Sequence, residues 1–165
     1  MSIPISRVIY QRYSHSLVSG VVFGNDSFVF ALAFGAGNDL MAKFKEMNIE
    51  LKCGELIAVK EIKEFLNGER KSFSVIPKQL WGTPFQRKAW SATRKIPYGT
   101  TISYAELAKL AGNPKAFRAA GSAMAANQIP LIIPCHRVIA SDGGLGGFGG
   151  DLKLKKALLE LEHKI

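Results

Sequence analysis

Cysteine is almost absent from this 165-residue chain, which holds only Cys53 and Cys135. Two thiols form at most one disulfide, so a disulfide scaffold is excluded and a reducing compartment, the cell interior, is expected. Three histidines (His15, His136, His163), with no Cys-x-x-Cys or His-x-x-x-His spacing, leave zinc without its usual ligand grouping, and no metal is expected. Nowhere do ~18 apolar residues run together to cross a membrane. The first ten residues lack a signal-peptide apolar run, because Pro4 and Arg7 interrupt them. Acidic residues are scarce as well: 13 Asp and Glu against 22 Lys and Arg give a net charge of +9, which points to a polyanionic partner, nucleic acid first. What remains is ordinary for a folded protein. Hydrophobic residues make up 47% and charged residues 21%, which excludes disordered, collagen-like and coiled-coil chains, and the length suits one domain or two small ones.

The positive charge is unevenly placed. Residues 1–80 hold 10 basic and 8 acidic residues, whereas residues 81–165 hold 12 and 5, a net of +7. Between residues 86 and 137, Arg87, Lys88, Arg94, Lys95, Lys109, Lys115, Arg118 and Arg137 face a single acid, Glu106. On one face, these would bind phosphates. A division into an N-terminal α/β scaffold, 1–80, and a basic C-terminal domain expected to bind nucleic acid, 81–165, follows.

In the first part, residues 7–13, 17–23 and 27–34 are rich in Val, Ile, Phe and Tyr, with turn residues Gly24, Asn25 and Asp26 before the third, and read as a three-stranded meander. A helix capped by Asn38 should carry Leu40, Met41, Phe44 and Met47. A second, over 55–67, carries Leu56, Val59, Ile62, Phe65 and Leu66 and closes at Gly68. Residues 71–76 read as a returning strand ended by Pro77. In the second part Thr83, Pro84 and Gln86 form a capping box with proline at the first helical position, for a helix that ends before Pro97. Ser103 and Glu106 form another, opening a short helix stopped by Gly112. Asn113 and Pro114 then start a helix over 115–126, and the pair matches a helix-turn-helix. The second helix holds Ala116, Ala119, Ala120, Gly121, Ser122, Ala123, Ala125 and Ala126, small enough for close approach to a DNA groove, with Lys115 and Arg118 as its long polar groups.

The reactive segment follows. Leu131, Ile132 and Ile133 lie between Pro130 and Pro134, and then come Cys135, His136 and Arg137. Thiolate is the nucleophilic form of cysteine, and a nearby base or positive charge enlarges its fraction; His136 and Arg137 are suitable groups. In a regular strand neighbours point to opposite faces, so Cys135 and His136 cooperate only through irregular backbone or an intervening water. A carboxylate must orient His136. Glu106 is committed to a cap, and either Glu160 or Glu162, on a last helix over 151–163 with Leu154, Ala157, Leu158 and Leu161, could reach it.

Pro134-Cys135-His136-Arg137-Val138, preceded by Ile-Pro-Leu-Ile-Ile and followed by a glycine-rich loop, resembles the active-site signature of the O6-alkylguanine-DNA alkyltransferases. The resemblance runs over residues 82–162 and includes Gly82-Thr83-Pro84-Phe85-Gln86, Ile102-Ser103-Tyr104 and Ala111-Gly112-Asn113-Pro114. It implies an α/β (α+β) fold: a small ribonuclease-H-like sheet-and-helix domain followed by a mainly helical domain with a helix-turn-helix. It implies repair of double-stranded DNA containing O6-alkylguanine, by a monomer that takes the alkyl group irreversibly and once, without cofactor, in the cytoplasm at the nucleoid or in a eukaryotic nucleus. By the same resemblance Cys135 is the acceptor, His136 acts through a water, Glu162 completes the relay, Asn127 braces the turn, and Tyr104 donates a hydrogen bond to the guanine. Arg118 enters the duplex in place of the extruded nucleotide, and Lys115, Ser103, Ala125 and Ala126 complete the DNA contacts. Tyr104, Met124, Pro130, Leu145, Gly146, Phe148 and Gly149 form the substrate pocket. Gly149 stands where the family often has a serine contacting O6, leaving a backbone N–H for that contact.

Other readings are weaker. Gly144, Gly146 and Gly149 fit Gly-x-Gly-x-x-Gly, but the acid expected ~20 residues on would fall beyond Ile165 and no strand remains to complete a dinucleotide unit. No Gly-Lys-Ser/Thr follows for a phosphate loop. A cysteine hydrolase leaves the helix-turn-helix unexplained. A non-catalytic damage sensor or helix-turn-helix regulator is the alternative from a different class, and Cys135 argues against it.

Overall fold

The computed structural model describes residues 5–146 and 151–163. The fold is mixed α/β, and the chain divides into two compact units, Met1–Lys78 and Gln79–Ile165.

In the first unit β1 (Arg7–Tyr13), β2 (Gly20–Gly24) and β3 (Phe28–Phe34) form the expected antiparallel meander. The second strand begins at Gly20 rather than at residue 17, because the preceding segment bonds to itself. The Leu17 N–H donates to His15 Nδ1 at 3.1 Å and the His15 N–H to Ser19 Oγ at 3.3 Å. Helix α1 (Asn38–Glu46) contains Asn38 as its first residue, not as its cap; Gly37, at φ 70°, occupies the cap. Any Cβ there would collide with Val21. Next, β4 (Glu50–Cys53) adds a parallel edge beside β1, a strand hidden in the sequence because the alternation of Glu50-Leu51-Lys52-Cys53 lasts only four residues and three of them are exposed.

Helix α2 (Ile57–Leu66) buries Leu56, just before it, and Val59, Ile62, Phe65 and Leu66, as its spacing predicts. The helices cover opposite faces. Phe44 of α1 lies 5.0 Å from Phe23, while Gln11, paired with Val22 and so on the other face, accepts the Leu56 N–H at 2.6 Å where α2 begins. Two-sided cover explains why every residue of β2 is buried. The expected strand over 71–76 shrinks to β5 (Ile76–Pro77), parallel to β3, in the order β4-β1-β2-β3-β5. The cause is Glu61, buried on α2, whose carboxylate accepts the Ser74 N–H at 2.9 Å and the Ser74 hydroxyl, so that this backbone is satisfied outside the ladder.

In the second unit α3 (Pro84–Arg94) and α4 (Tyr104–Leu110) both start with complete capping boxes, Thr83 with Gln86 and Ser103 with Glu106. Helix α5 (Phe117–Ala125) is shorter than the expected 115–126. Asn113 Oδ1 accepts the Lys115 N–H at 3.3 Å and the Asn113 carbonyl the Ala116 N–H at 3.0 Å, so Asn113 to Ala116 form a turn that leaves Lys115 outside the helix. Trp90 of α3 is fully buried and donates its indole N–H to the Ala123 carbonyl of α5 at 2.8 Å, fixing the two helices together. Strand β6 (Ile102–Ser103) pairs in parallel with β7 (Val138–Ile139), which brings the start of α4 beside the segment after Arg137. Helix α6 (Leu152–His163) packs back against residues 135–137 and buries Leu154 and Leu158.

Candidate active site

The run from Ile129 to Arg137 is buried throughout, yet it is not a strand. Leu131 sits at φ 71°, a conformation unfavourable for a bulky side chain, and the Ile133 N–H closes a turn on the Ile129 carbonyl at 2.9 Å. Asn127 spans this turn from inside. Its amide donates to the Ile133 carbonyl at 2.8 Å and its Oδ1 accepts the Ile129 N–H at 3.1 Å.

Cys135, His136 and Arg137 then form one turn of 3-10 helix, not a regular strand. Successive side chains in such a turn diverge by about 120°, which gives each its own surroundings. Cys135 is buried among apolar residues, and burial pushes its thiol up; hydrogen bonding from Asn127, the charge of Lys155 and backbone N–H groups pull the other way without prevailing. The resting thiol is therefore protonated and needs a base at the moment of reaction.

His136 is fully buried, and its Nε2 lies 2.5 Å from Glu162 Oε1. Burial holds His136 below the ordinary imidazole range despite that carboxylate. A neutral ring facing an acceptor-only carboxylate carries its proton on Nε2, so Nδ1 is the basic nitrogen. For Glu162 burial pushes upward, but hydrogen bonds from His136, from Arg137 and from the Gly99 N–H at 3.0 Å outweigh it, and the carboxyl is pulled down to about 2. Arg137 Nε lies 3.0 Å from both Glu162 oxygens, and Arg137 Nη1 donates to the Ile96 carbonyl at 2.7 Å. Of the two carboxylates open on sequence grounds, Glu162 is at the site; Glu160 pairs with Lys156 on the surface. Arg137 is thus Glu162's counter-charge and not the cation beside Cys135. Buried, it also drops out of the basic face, whose other seven members are exposed.

The cation that acts on the thiol is Lys155, which the sequence reading missed. It is fully buried on α6, with Nζ donating to the Val138 carbonyl at 2.6 Å and to the Tyr104 hydroxyl at 3.4 Å. Burial pulls it down to about 8, and Cys135 opposes that shift. A signal was present: residues 155, 158 and 162 share one helical stripe with buried Leu158 and Glu162. Tyr104, first residue of α4, is half-buried, and burial followed by the charge of Cys135 pushes its hydroxyl up, which keeps it a hydrogen-bond donor. Glycines flank its ring. A Cβ on Gly121 would approach it at 3.9 Å, and one on Gly146, at φ 67°, would strike it at 2.7 Å.

Cys135, His136, Glu162, Asn127 and Tyr104 are thus linked through direct contacts and through Lys155. Met124 is buried, with the Thr93 hydroxyl 3.4 Å from its sulfur; Pro130 is buried and Leu145 half-buried. Lys115, Arg118, Ala125 and Ala126 are exposed, and Ser103 is half-buried in its capping box. Phe148 and Gly149 lie outside the described residues. Among the described residues no group of three His, Cys, Asp or Glu is placed to hold a metal, and no helix is long and apolar enough to cross a membrane.

Residues 84–164 match the family described as 6-O-methylguanine DNA methyltransferase, DNA binding domain. The chain is 45% identical over 107 residues to the constitutive methylated-DNA–protein-cysteine methyltransferase of Bacillus subtilis, covering 64% of each protein. It is 50% identical over 98 residues to the Haemophilus influenzae protein of that name, 59% of this chain and 55% of that one. These matches span between about half and two thirds of the curated relatives' length. The fold resembles that of Mycobacterium tuberculosis O6-methylguanine methyltransferase, with a TM-score of 0.81 and 35% identity over 95% of this chain and 93% of the other. Against Mycobacterium tuberculosis OGT in complex with DNA the TM-score is 0.83, at 35% identity over 95% and 94%.

Proposed function

Because the chain belongs to the methylated-DNA–protein-cysteine methyltransferase family, we propose that it repairs double-stranded DNA by moving the alkyl group of an O6-alkylguanine onto its own Cys135. The observation that carries this reading is the buried Glu162–His136 pair beside a buried thiol. Glu162 fixes Nε2–H of a neutral imidazole, so Nδ1 takes the Cys135 proton, through a water. The sulfur forms a bond to the alkyl carbon as the carbon–O6 bond breaks, and the guanine leaves with the electron pair. Tyr104 donates a hydrogen bond to that developing anion, and Lys155, against the Tyr104 hydroxyl, keeps positive charge at the same place. The thioether is stable, so each molecule reacts once, without cofactor or metal.

On this reading α4 and α5 are a helix-turn-helix whose exposed small residues, Ala125 and Ala126, approach the groove while Lys115 and Ser103 hold the backbone and Arg118 fills the place of the extruded nucleotide. Tyr104, Met124, Pro130, Leu145 and Gly146 surround the base. The first unit is a ribonuclease-H-like scaffold, and the protein acts as a monomer, in the cytoplasm at the nucleoid or in a eukaryotic nucleus. Intact-protein mass after incubation with a duplex containing O6-methylguanine tests the reaction: the protein gains about 14 Da, one methyl for one proton, and Cys135→Ala gains nothing. No gain in the unaltered protein, or a gain in Cys135→Ala, overturns it.

A further inference from the structure

Helix α5 carries one large apolar side chain that the packing does not use. Phe117, its first residue, is 51% exposed, whereas the other exposed positions of the helix are Arg118, Ala119, Ser122 and Ala125. A phenyl ring among such small neighbours stands proud of the helix surface. Its surroundings are cationic. The Arg118 guanidinium lies 5.9 Å from the ring centre, Lys109 and Lys115 are exposed on the preceding helix and turn, and no acidic residue occurs between Glu106 and Asp142. The helical register orients it further. Phe117 and Gly121 are four residues apart on one stripe, and Gly121 faces the Tyr104 ring, while Arg118 begins the adjacent stripe of Ser122 and Ala125. Phe117 therefore stands at the boundary between the surface that meets the phosphates and the stripe that leads to Tyr104.

We infer that Phe117 is an apolar wedge for duplex DNA: its ring packs against the unstacked base step beside the extruded nucleotide and holds open the gap that Arg118 enters. The inference rests on the function proposed above and adds a residue to it. An aromatic ring contacts every base through its π-face and carries no charge, so the wedge contributes affinity for the opened duplex without sequence preference and without counterion release.

The test measures binding of a fluorescent duplex containing O6-methylguanine by anisotropy across a salt series, in a Cys135→Ser background so that no transfer intervenes. Phe117→Ala weakens binding roughly five- to thirtyfold, the size of one lost stacking contact, and leaves the salt slope unchanged. Phe117→Trp retains the affinity, and Arg118→Ala lowers the salt slope by about one. With Cys135 present, Phe117→Ala reacts with free O6-methylguanine base at the unaltered rate. Unchanged duplex affinity in Phe117→Ala overturns the inference, and so does a parallel loss of reaction with the free base, which would make Phe117 a support of the pocket. Absence of methyl uptake in the unaltered protein overturns the proposed function instead, and the binding series still decides the role of Phe117.

Discussion

Replacing Glu162 by glutamine tests the buried charge cluster at its centre. The substitution keeps shape and volume but removes the negative charge that faces Arg137 Nε at 3.0 Å and His136 Nε2 at 2.5 Å. Two routes give the cost. The carboxyl's drop from an ordinary 4.5 to about 2 corresponds to about 3 kcal/mol of folding free energy at neutral pH, and removing one partner of a buried ion pair typically costs about 3–5 kcal/mol. Arg137 is only 6% exposed and has little water to turn to. Urea unfolding at pH 7 should therefore show a loss of about 3 kcal/mol. The pH dependence adds a sign. A carboxyl whose folded pKa lies below its unfolded value contributes fully above about pH 5 and loses that contribution as pH falls towards 2. The gap between the two proteins is accordingly full at neutral pH and closes in acid. Alkyl transfer slows about a hundredfold as His136 loses its fixed tautomer. A loss below about 1 kcal/mol, or a gap that persists at pH 2, would refute the assignment of Glu162 as the ionised partner of Arg137.

Lys155→Met keeps the length of the side chain and removes its charge, so the pH at which iodoacetamide half-maximally alkylates Cys135 should rise, because Lys155 lowers the thiol's pKa. Since burial holds Lys155 down to about 8, its ammonium costs stability below that pH and the unaltered protein gains stability as pH rises from 8 towards 10.5; urea midpoints over that range should show the gain vanish in the variant. Gly146→Ala places a methyl 2.7 Å from Tyr104 Cε2 at a φ of 67°, so methyl uptake and the urea midpoint should both fall, and Gly121→Ala, whose methyl would stay 3.9 Å away, serves as the tolerated control.

What was legible in the sequence was whatever local chemistry decides. Both capping boxes formed as spaced, because Thr83 with Gln86 and Ser103 with Glu106 satisfy backbone donors within one turn. The stripe of α2 was legible because burial imposes its period, and the meander because its strands are rich in Val, Ile, Phe and Tyr and are separated by turn residues. Failures came where a distant side chain settled the matter. Glu61 diverts the backbone at Ser74 from the ladder, and its own position gives no hint of this. Edge strand β4 alternates over only four residues, too short a run to stand out, and its single neighbour β1 settles its place. Arg137 read as a phosphate contact because a lone cation beside no acid carries no local mark of burial, and Lys155 stood out only through the helical stripe it shares with Leu158 and Glu162.

Those two buried cations account for the site's electrostatics once they are separated. Arg137 and Glu162 cancel, and His136 is neutral, so Lys155 is the unbalanced charge of the cluster. A thiol raised by burial would, taken alone, be a poor nucleophile. In the proposed reaction the proton leaves Cys135 only when His136 accepts it, and the anion then forms within reach of a positive charge already in place. As negative charge passes from sulfur to the departing guanine, the Lys155 ammonium, 3.4 Å from the Tyr104 hydroxyl, lies beside both ends of that transfer. The cost of burying Lys155 is thus met in the resting protein and is offset while the anion exists, which is when a reaction run once per molecule needs it.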